Sequence, residues 1–357
     1  MEAKDSIDTV IDKSRVHLYK PIQIAEILYR NRTEGDLSPG DLESYRTTSR
    51  HWRDTVTQRL VGNVSTSSSR YQDNLFDDNA VPPNHIKELD EINQDKNGIV
   101  ENYIYHKCQE RWQLLIDIYE YIEVSGPEEF DLRSLVNMFR DEPGLTRSLD
   151  KVYESVVHAL FCTITRELNA QVKIKLESPD DQIVSDFSDF TSIVLGLPEG
   201  ETEVSCMAKL YRVGVSNAAD KGVDIRTNFG PIVQVKHVSL DESMAEDVVD
   251  NVAARNVVIV CKTGEEEIIS SVLEQMPFSD SIQGIVTLND LERWYDLCLN
   301  KYTERMGDRI IDDLQREINR EFPQVTETEN FMDERGYSTE DLEPPWVINK
   351  NQTLESF

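Results

Sequence analysis

The most informative segment of the chain is Tyr211 to Val238, YRVGVSNAADKGVDIRTNFGPIVQVKHV. Two short apolar pieces within it, GVDIR and PIVQVKHV, are typical of strands, and a region containing a Gly-Pro pair separates them. Because side chains alternate across a strand, Gln234 and Lys236 share one face of the second piece. If the two strands are adjacent, Asp224 of the first lies close to both. The segment therefore predicts a sheet that brings an acid, an amide and a lysine together.

Helix and strand patterns alternate on both sides of this segment. The predicted strands, which are short and rich in β-branched residues, are in chain order QVKIKLE, SCMAKLYRVGV, GVDIR, PIVQVKHV, NVVIVCK and IQGIVT. The predicted helices, which carry apolar residues at helical spacing, are RSLDKVYESVVHALFCTITREL, DDQIVSDFSDFTSIVLGL, DESMAEDVVDNVAA, EEEIISSVLEQM and a long one from Leu288 to Arg320. Helix, three strands, helix and strand in succession predict an α/β fold class with a mixed (α+β) sheet, in a domain over residues 146–320.

Residues 1–98 are predicted to form a mainly helical N-terminal region. Three short helices are expected: IQIAEILYRNR after Pro21, GDLESYR after Ser38-Pro39, and SRHWRDTVTQRLVG ending near Gly62. Three compact helices followed by a loop are typical of helix-turn-helix and winged-helix modules. A long amphipathic helix is expected next, over residues 99–124 of a helical connector that spans 99–145, and its Tyr and Trp side chains are expected to pack.

The tail, residues 321–357, carries nine acids against Arg335 and Lys350. It lacks sustained periodicity, so we expect it to be partly ordered and docked through Phe331, Tyr337 and Trp346.

The net charge constrains the class of partner. Among 357 residues, 67 acids stand against 37 Lys plus Arg, a net charge of −30. Phosphate binding draws on Lys and Arg, so this charge taken alone argues against a nucleic-acid partner. The acids are spread through most of the chain, which favours a property of the whole surface, such as adaptation of the host to concentrated salt.

Other classes of protein are excluded by composition. No apolar run approaches a membrane span and the N-terminus is too polar for a secretion signal, so we expect a cytoplasmic protein without a membrane partner. The five cysteines are scattered, without zinc-ligand spacing, and are expected to be buried free thiols.

One region reverses the acidic balance. From residue 46 to residue 70 there are five arginines against one acid, Asp54, interleaved with aromatic residues and Ser/Thr hydroxyls. Such side chains donate to phosphates and base edges, although they are also compatible with a solvated helix face. The residues predicted to contact DNA are Arg46, Arg50, Arg53, Arg59, Ser67, Ser68 and Arg70.

The acid, amide and lysine are the groups that metal-assisted cleavage of a phosphodiester requires. Mg²⁺ prefers oxygen ligands and takes only one or two from protein, so Asp224 and the amide oxygen of Gln234 are candidate ligands. Glu154, on the preceding helix, is a third candidate ligand. Lys236 is predicted to hold the attacking water or to stabilise charge on the phosphate. The nearby Asp220 is a rival acid, and His237 is expected to pack.

The arrangement Asp224…Gln234-Val235-Lys236, behind a helical glutamate, resembles the PD-(D/E)XK nuclease superfamily with Gln in its second acidic position. Val223 stands where the superfamily has Pro. Longer segments resemble the HaeII-type restriction endonucleases: KPIQIAEIL, HWRDTVTQRLVGNVSTSSSRYQDNL, YRVGVSNAADKGVDI, NFGPIVQVKH and GIVTLNDLERWYDLCL. The resemblance runs from about Ile7 to Pro323. It implies a homodimeric type II enzyme that uses Mg²⁺ to cut both strands of double-stranded DNA at a GC-rich palindrome, purine-GCGC-pyrimidine (RGCGCY), and that works beside a cognate DNA methyltransferase.

Two other functions stay open at the level of sequence. The first is a non-catalytic DNA-binding or assembly protein on a degenerate nuclease fold, in which Gln234 marks lost catalysis. The second is a structural protein unrelated to nucleic acid, as the net charge suggests. Incubation with plasmid and Mg²⁺ separates the three, because only the enzyme gives discrete fragments and only the binder retards intact DNA.

Overall fold

The computed structural model describes residues 2–35, 37–62, 64, 81–141, 145–213, 223–236, 256–262, 282–325 and 327–348. The chain forms two compact units. The first comprises Met1–Ser125, Arg133–Val152 and Ile318–Phe357, and the second comprises Gly126–Leu132 and Tyr153–Glu317. The predicted division at residues 98, 145 and 320 stays a prediction.

The protein is a mixed α/β protein, and helices make up most of its described residues. In chain order they are α1 (Glu2–Lys13), α2 (Tyr19–Glu34), α3 (Leu42–Val61), α4 (Pro83–Asp95), α5 (Ile99–Val124), α6 (Leu132–Asp141), α7 (Leu149–Glu167), α8 (Asp181–Asp186), α9 (Ser188–Ile193), α10 (Leu288–Asp296), α11 (Asp308–Glu321) and α12 (Thr328–Arg335). Among the residues described, no helix is both long and apolar enough to cross a membrane.

The expected break between two short helices around Arg46 is wrong. Helix α3 runs without interruption from its cap at Asp41, whose side chain accepts the N–H of Glu43, to Gly62, which ends it in the left-handed conformation. No Gly or Pro lies between these ends, and Tyr45 is buried on the inner face of the helix, so helical spacing continues through the segment.

The long helix predicted over residues 99–124 is confirmed as α5, and its aromatic residues pack as expected. The indole N–H of Trp112 donates to the carbonyl of Val16 at 2.9 Å. The tail docks within this same unit, as expected: Phe331 and Tyr337 lie against Tyr105, with ring centroids 4.9 and 5.5 Å away. Trp346, also expected to dock, is buried against Tyr103.

The second unit is built around a five-stranded mixed sheet. Its strands are β3 (Leu210–Arg212), β4 (Ile225–Thr227), β5 (Ile232–Val235), β6 (Val257–Cys261) and β7 (Ile282–Thr287), in that spatial order. The pairs β3–β4 and β4–β5 are antiparallel, whereas the pairs β5–β6 and β6–β7 are parallel. Val233, Gln234 and Val235 of β5 are all buried, so both faces of the central strand are covered.

The single strand predicted for SCMAKLYRVGV is wrong, because the chain changes sheets within it. Its first part lies in β2 (Glu203–Met207), which pairs with β1 (Gln171–Lys175) in a two-stranded antiparallel ribbon. Its second part is β3. The side chain of Asn228 contacts both sides of this change of sheet. Its side-chain NH₂ donates to the carbonyl of Met207 at 3.0 Å, and its side-chain oxygen accepts the N–H of Lys209 at 2.8 Å.

The long helix expected from Leu288 to Arg320 is interrupted. Thr287 caps α10 through a capping box with Asp290, but π-helical turns over Leu297–Lys301 and Thr303–Gly307 separate α10 from α11. The predicted helices DESMAEDVVDNVAA and EEEIISSVLEQM lie outside the described residues.

Candidate active site

Asp224 stands immediately before β4 and is bonded to both residues that flank Gln234. Its N–H donates to the carbonyl of Val233 at 3.1 Å, and its Oδ2 accepts the N–H of Val235 at 2.7 Å. Its own carbonyl accepts the N–H of Val213 at 2.9 Å, which ties it to the end of β3. The carboxylate is therefore fixed beside Gln234 by the backbone of two strands.

Gln234 is the central member of the site. It is 4% exposed, and its Oε1 accepts no hydrogen bond from any of the described residues. A buried carbonyl oxygen left without a donor costs about 1–3 kcal/mol. A cation or a water molecule bound at Oε1 would remove that cost.

Lys236 follows the end of β5. Its N–H donates to the carbonyl of Val260 at 2.8 Å, which continues the ladder with β6 one step further. By the alternation of side chains, this half-buried lysine lies on the same face of β5 as Gln234. Backbone pairing therefore brings three of the predicted residues, Asp224, Gln234 and Lys236, to one place.

Glu154 lies on α7, and its Oε2 is 3.2 Å from a guanidinium nitrogen of Arg212. Arg212 is opposite Ile225 in the β3–β4 register, and Ile225 is opposite Val233 in the β4–β5 register. Arg212 therefore leaves the sheet on the Val233 face, opposite to Gln234. The role of Glu154 as a metal ligand stays a prediction.

Arg212 is the centre of a buried ionic network. Its guanidinium also donates to Oε2 of Glu317 at 3.0 Å and to the hydroxyl of Ser155 at 3.2 Å. Nδ1 of His158 is 3.2 Å from Oε1 of Glu317, close enough for an ion pair, although the two atoms are not aligned as a hydrogen bond.

The network shifts the pKa values of two of its members, His158 and Glu317. Burial alone would lower the pKa of His158, but contacts with Cys162 and Glu317 outweigh it and raise the pKa to about 9. Burial alone would raise the pKa of Glu317, but the positive charges of His158 and Arg212 and the hydrogen bond from Arg212 lower it to about 2.

Arg212 and Glu317 were not predicted from the sequence. One signal for Arg212 was present: a single arginine within the apolar segment LYRVGV must find a carboxylate if that segment is buried. Glu317 gave no comparable signal, because acids are common along the helix that carries it.

The residues present fit Mg²⁺ better than a metal that needs many protein ligands. Within the described chain no three His, Cys, Asp or Glu side chains cluster in a way that could hold a metal. One carboxylate, Asp224, and one unpartnered amide oxygen, on Gln234, match the one or two protein oxygens that Mg²⁺ takes. The rival acid Asp220 and His237 lie outside the described residues.

The arginines predicted to contact DNA lie on α3 and differ in accessibility. Arg46 is partly exposed, and a guanidinium nitrogen of this residue lies 3.3 Å from Oε1 of Glu43. Arg53 is 2% exposed and is bonded to Asp54 and Gln23, so it packs within its unit.

Two further members of this set lie on the same helix. Arg50 is partly exposed. Arg59 binds Glu327 at 2.9 Å and Glu334 at 2.6 Å. Ser67, Ser68 and Arg70 lie outside the described residues.

Comparison with known proteins identifies the class. The chain is 45% identical over 339 residues to the type II restriction enzyme HaeII of Haemophilus aegyptius, across 94% of this chain and 96% of that protein. It is 42% identical over 339 residues to the type II restriction enzyme NgoBI of Neisseria gonorrhoeae, with the same coverage. The protein is therefore a type II restriction enzyme, a DNA endonuclease of a restriction-modification system.

The family is equally clear. The family model described as HaeII restriction endonuclease matches residues 3–337, and the chain belongs to that family. No solved structure matches the chain. The two non-enzymatic functions left open by the sequence are set aside by this membership.

Proposed function

We propose that this enzyme makes Mg²⁺-dependent double-strand cuts in a GC-rich palindrome, RGCGCY, and that Asp224, Gln234 and Lys236 form its catalytic site. One observation carries the proposal. Asp224 is bonded to both neighbours of Gln234, whose buried Oε1 has no donor among the described residues. An acid is thus fixed next to an oxygen that is suited to a cation.

Each residue has a separate task. Asp224 and Gln234 hold the metal, and Gln234 contributes no charge to it, so the carboxylate of Asp224 carries most of the attraction. When bound, Mg²⁺ supplies charge neutralisation at the scissile phosphate and lowers the pKa of a coordinated water. Lys236 orients the attacking water or stabilises the charge that develops on the phosphate. Glu154 is proposed as a third ligand only if it leaves its salt bridge to Arg212, which lies on the sheet face opposite to Gln234.

The five-stranded sheet supports a PD-(D/E)XK core as the fold. Helix α7 precedes the antiparallel strands β3, β4 and β5, and the parallel pair β5–β6 follows, which is the order that this superfamily resemblance implies. Residues 146–320 are accordingly proposed as the nuclease domain, and residues 1–98 as the DNA-recognition region.

Recognition of DNA is proposed to involve the arginine-rich region. Arginine can bond to guanine through two parallel hydrogen bonds, which suits a GC-rich site. Arg46, Arg50, Arg59, Arg70 and their neighbours Ser67 and Ser68 are the proposed contacts. Arg53 is included only if it leaves Asp54 and Gln23, since it is buried in the free protein.

The partners are proposed from the same chemistry. A palindrome has a two-fold axis, so a homodimer places one catalytic site on each strand. A cognate DNA methyltransferase in the same cytoplasm would protect the host's own sites.

Digestion of supercoiled plasmid tests the proposal. We expect wild-type protein to give linear DNA only when RGCGCY and Mg²⁺ are both present. Asp224→Asn should reduce cleavage by at least roughly a thousandfold but keep the fold, because an amide oxygen can still accept the N–H of Val235. Asp296→Asn, at an exposed acid of α10, is the matched control and should cut normally. Metal-dependent cutting by Asp224→Asn at the wild-type rate would overturn the catalytic assignment, and cutting of plasmid without the site would overturn the recognition sequence.

A further inference from the structure

An apolar stripe lies exposed on the helices that link the two strands of the ribbon. Residues 171–207, here called the arm, comprise β1, α8, α9 and β2. Five large apolar side chains of α8, α9 and the residues beside them are 52–81% exposed: Ile183, Phe187, Phe190, Ile193 and Val194. Four of them recur at the spacing i, i+4, i+7 and i+11, which is one face of a helix. The stripe is therefore an organised surface and not scattered single residues.

Neither α8 nor α9 contains a buried residue, and the chain turns inward only after α9 ends. Val184 and Leu195 are partly buried, and Leu197, just after them, is 1% exposed. Hydrogen bonds from Phe187 to Ile183 and from Thr191 to Phe187 carry the helical direction through the junction of α8 and α9. Because these helices bury no residue within their own unit, their apolar stripe is left for another surface to cover.

The ribbon carries a second apolar surface. The β1–β2 register sets Val172 opposite Cys206 and Ile174 opposite Val204, so these four side chains share one face. Cys206 is exposed, which corrects the expectation that all five thiols are buried. An isolated two-stranded ribbon is at best marginally stable in water, so a covering partner would stabilise it.

Charge excludes two kinds of partner. The arm contains two lysines, Lys173 and Lys175, no arginine and eight acids, counted along residues 171–207. Lys173 is paired with Glu203 at 2.7 Å. DNA and anionic lipid both require an excess of positive charge, so neither suits this surface.

The exposed area suits the centre of a protein interface. A buried phenylalanine covers roughly 150–250 Å², so two that are more than half exposed offer roughly 200 Å² per copy before the Ile and Val residues are added. A standard interface needs roughly 800 Å² per partner, with an apolar centre. The stripe supplies such a centre, and its flanking acids and lysines supply a polar rim.

We propose that the arm is the dimerisation surface of this enzyme and that its occupant is the arm of a second copy. The proposal deepens the proposed function and rests on it, because the proposed homodimer is what places one catalytic site on each strand of a palindrome. In an isologous contact the same patch meets itself, so Phe187 and Phe190 of one copy pack on the stripe of the other.

Sedimentation velocity over a range of protein concentrations tests the proposal. We expect wild-type protein to be a dimer, and Ile193→Glu and Phe187→Glu each to raise the dimer dissociation constant by at least roughly 100-fold, since each leaves a charge unpaired in the interface. Val124→Glu, at a 75% exposed apolar residue outside the arm, is the matched control and should remain dimeric. Circular dichroism and thermal melting check that the variants fold.

Dimeric arm variants, or a wild-type protein that stays monomeric at all concentrations, would overturn the proposal. Hydrogen exchange of wild-type protein needs no variant: amides of 181–194 should exchange more slowly as concentration rises, and unchanged exchange there would count equally against the arm. Plasmid cleavage keeps the two proposals apart. A wild-type monomer that cuts DNA would overturn only the proposal that the arm is the dimer surface. A wild-type dimer that Ile193→Glu dissociates, but that never cuts DNA, would overturn only the proposed function.

Discussion

Glu154 and Arg212 form a salt bridge of 3.2 Å in which each side chain is only 5% exposed. The same guanidinium binds Glu317 at 3.0 Å, so one arginine of β3 holds carboxylates of both α7 and α11. Two carboxylates buried around one cation depend on that cation, since neither can be solvated by bulk water in its place.

Arg212→Met is expected to destabilise the protein strongly. It keeps a long apolar stem but removes the cation that Glu154 and Glu317 share, which leaves Glu317 with His158 as its remaining cation, and breaking a buried ion pair costs about 3–5 kcal/mol. Urea unfolding followed by circular dichroism measures the loss. The control is Arg226→Met, at an exposed arginine of the next strand, for which we expect a change of less than about 1 kcal/mol. Equal losses in the two variants would show that the network contributes little.

Glu154→Gln separates a metal ligand from a salt-bridge partner. As a ligand, Glu154 supplies negative charge to Mg²⁺, so its loss should raise the Mg²⁺ concentration for half-maximal cleavage by roughly tenfold, or about 1.4 kcal/mol. Glu317→Gln is the matched control, because it removes the other carboxylate of Arg212 without touching the proposed site. If both variants shift the Mg²⁺ requirement equally, Glu154 acts only through Arg212.

The pairing of β4 with β5 could be predicted from the sequence, because it depends on local alternation and a nearby Gly-Pro pair. The position of Glu154 could not. Its partner is 58 residues away, and which face of the sheet receives α7 depends on the β3 register. The change of sheets at Lys209 could not be predicted for a similar reason. It depends on hydrogen bonds with Asn228, which follows β4, and not on a break in the apolar pattern of the sequence.

The His158–Glu317 pair predicts a loss of stability in alkaline solution. The folded pKa of His158, about 9, lies above its ordinary value of 6.5. Its contribution is therefore complete below pH 6.5 and is lost as the pH rises through 9, with a change on the order of 3 kcal/mol. Urea unfolding of wild type and His158→Gln from pH 6 to 10 measures it, and the variant should lack this part of the decline.

The acidic side of the same pair has the opposite sign. The folded pKa of Glu317, about 2, lies below its ordinary value of 4.5, so its contribution is present above pH 4.5 and is lost as the pH falls through 2. For the alkaline range, an equal loss of unfolding free energy by wild type and His158→Gln between pH 6 and 10 would contradict the ion pair between His158 and Glu317.

Arg59 is expected to contact phosphate only by leaving its carboxylates. It binds Glu327 and Glu334 in the free protein, so Glu334→Gln should strengthen DNA binding, and Arg59→Ala should weaken it. Each lost phosphate contact reduces the slope of log affinity against log salt by about 0.9. Fluorescence anisotropy in Ca²⁺ at several salt concentrations measures the slope, with Lys87→Ala as an exposed control. An unchanged slope for Arg59→Ala would remove this residue from the DNA contacts.

Gln234→Glu tests the metal site without relying on cleavage. A carboxylate at this buried position would lie beside that of Asp224 and repel it when metal is absent, so the free variant should be less stable by about 1–3 kcal/mol. Mg²⁺ binds a carboxylate more tightly than an amide, and it binds only the folded state, so adding it should raise the melting temperature of the variant more than that of wild type. Gln283→Glu, at an exposed position of β7, is the control and should show the wild-type response to Mg²⁺. If Mg²⁺ left the melting temperature of Gln234→Glu unchanged, the metal would have to bind elsewhere. A new buried carboxylate beside Asp224 would change the affinity for any cation bound there.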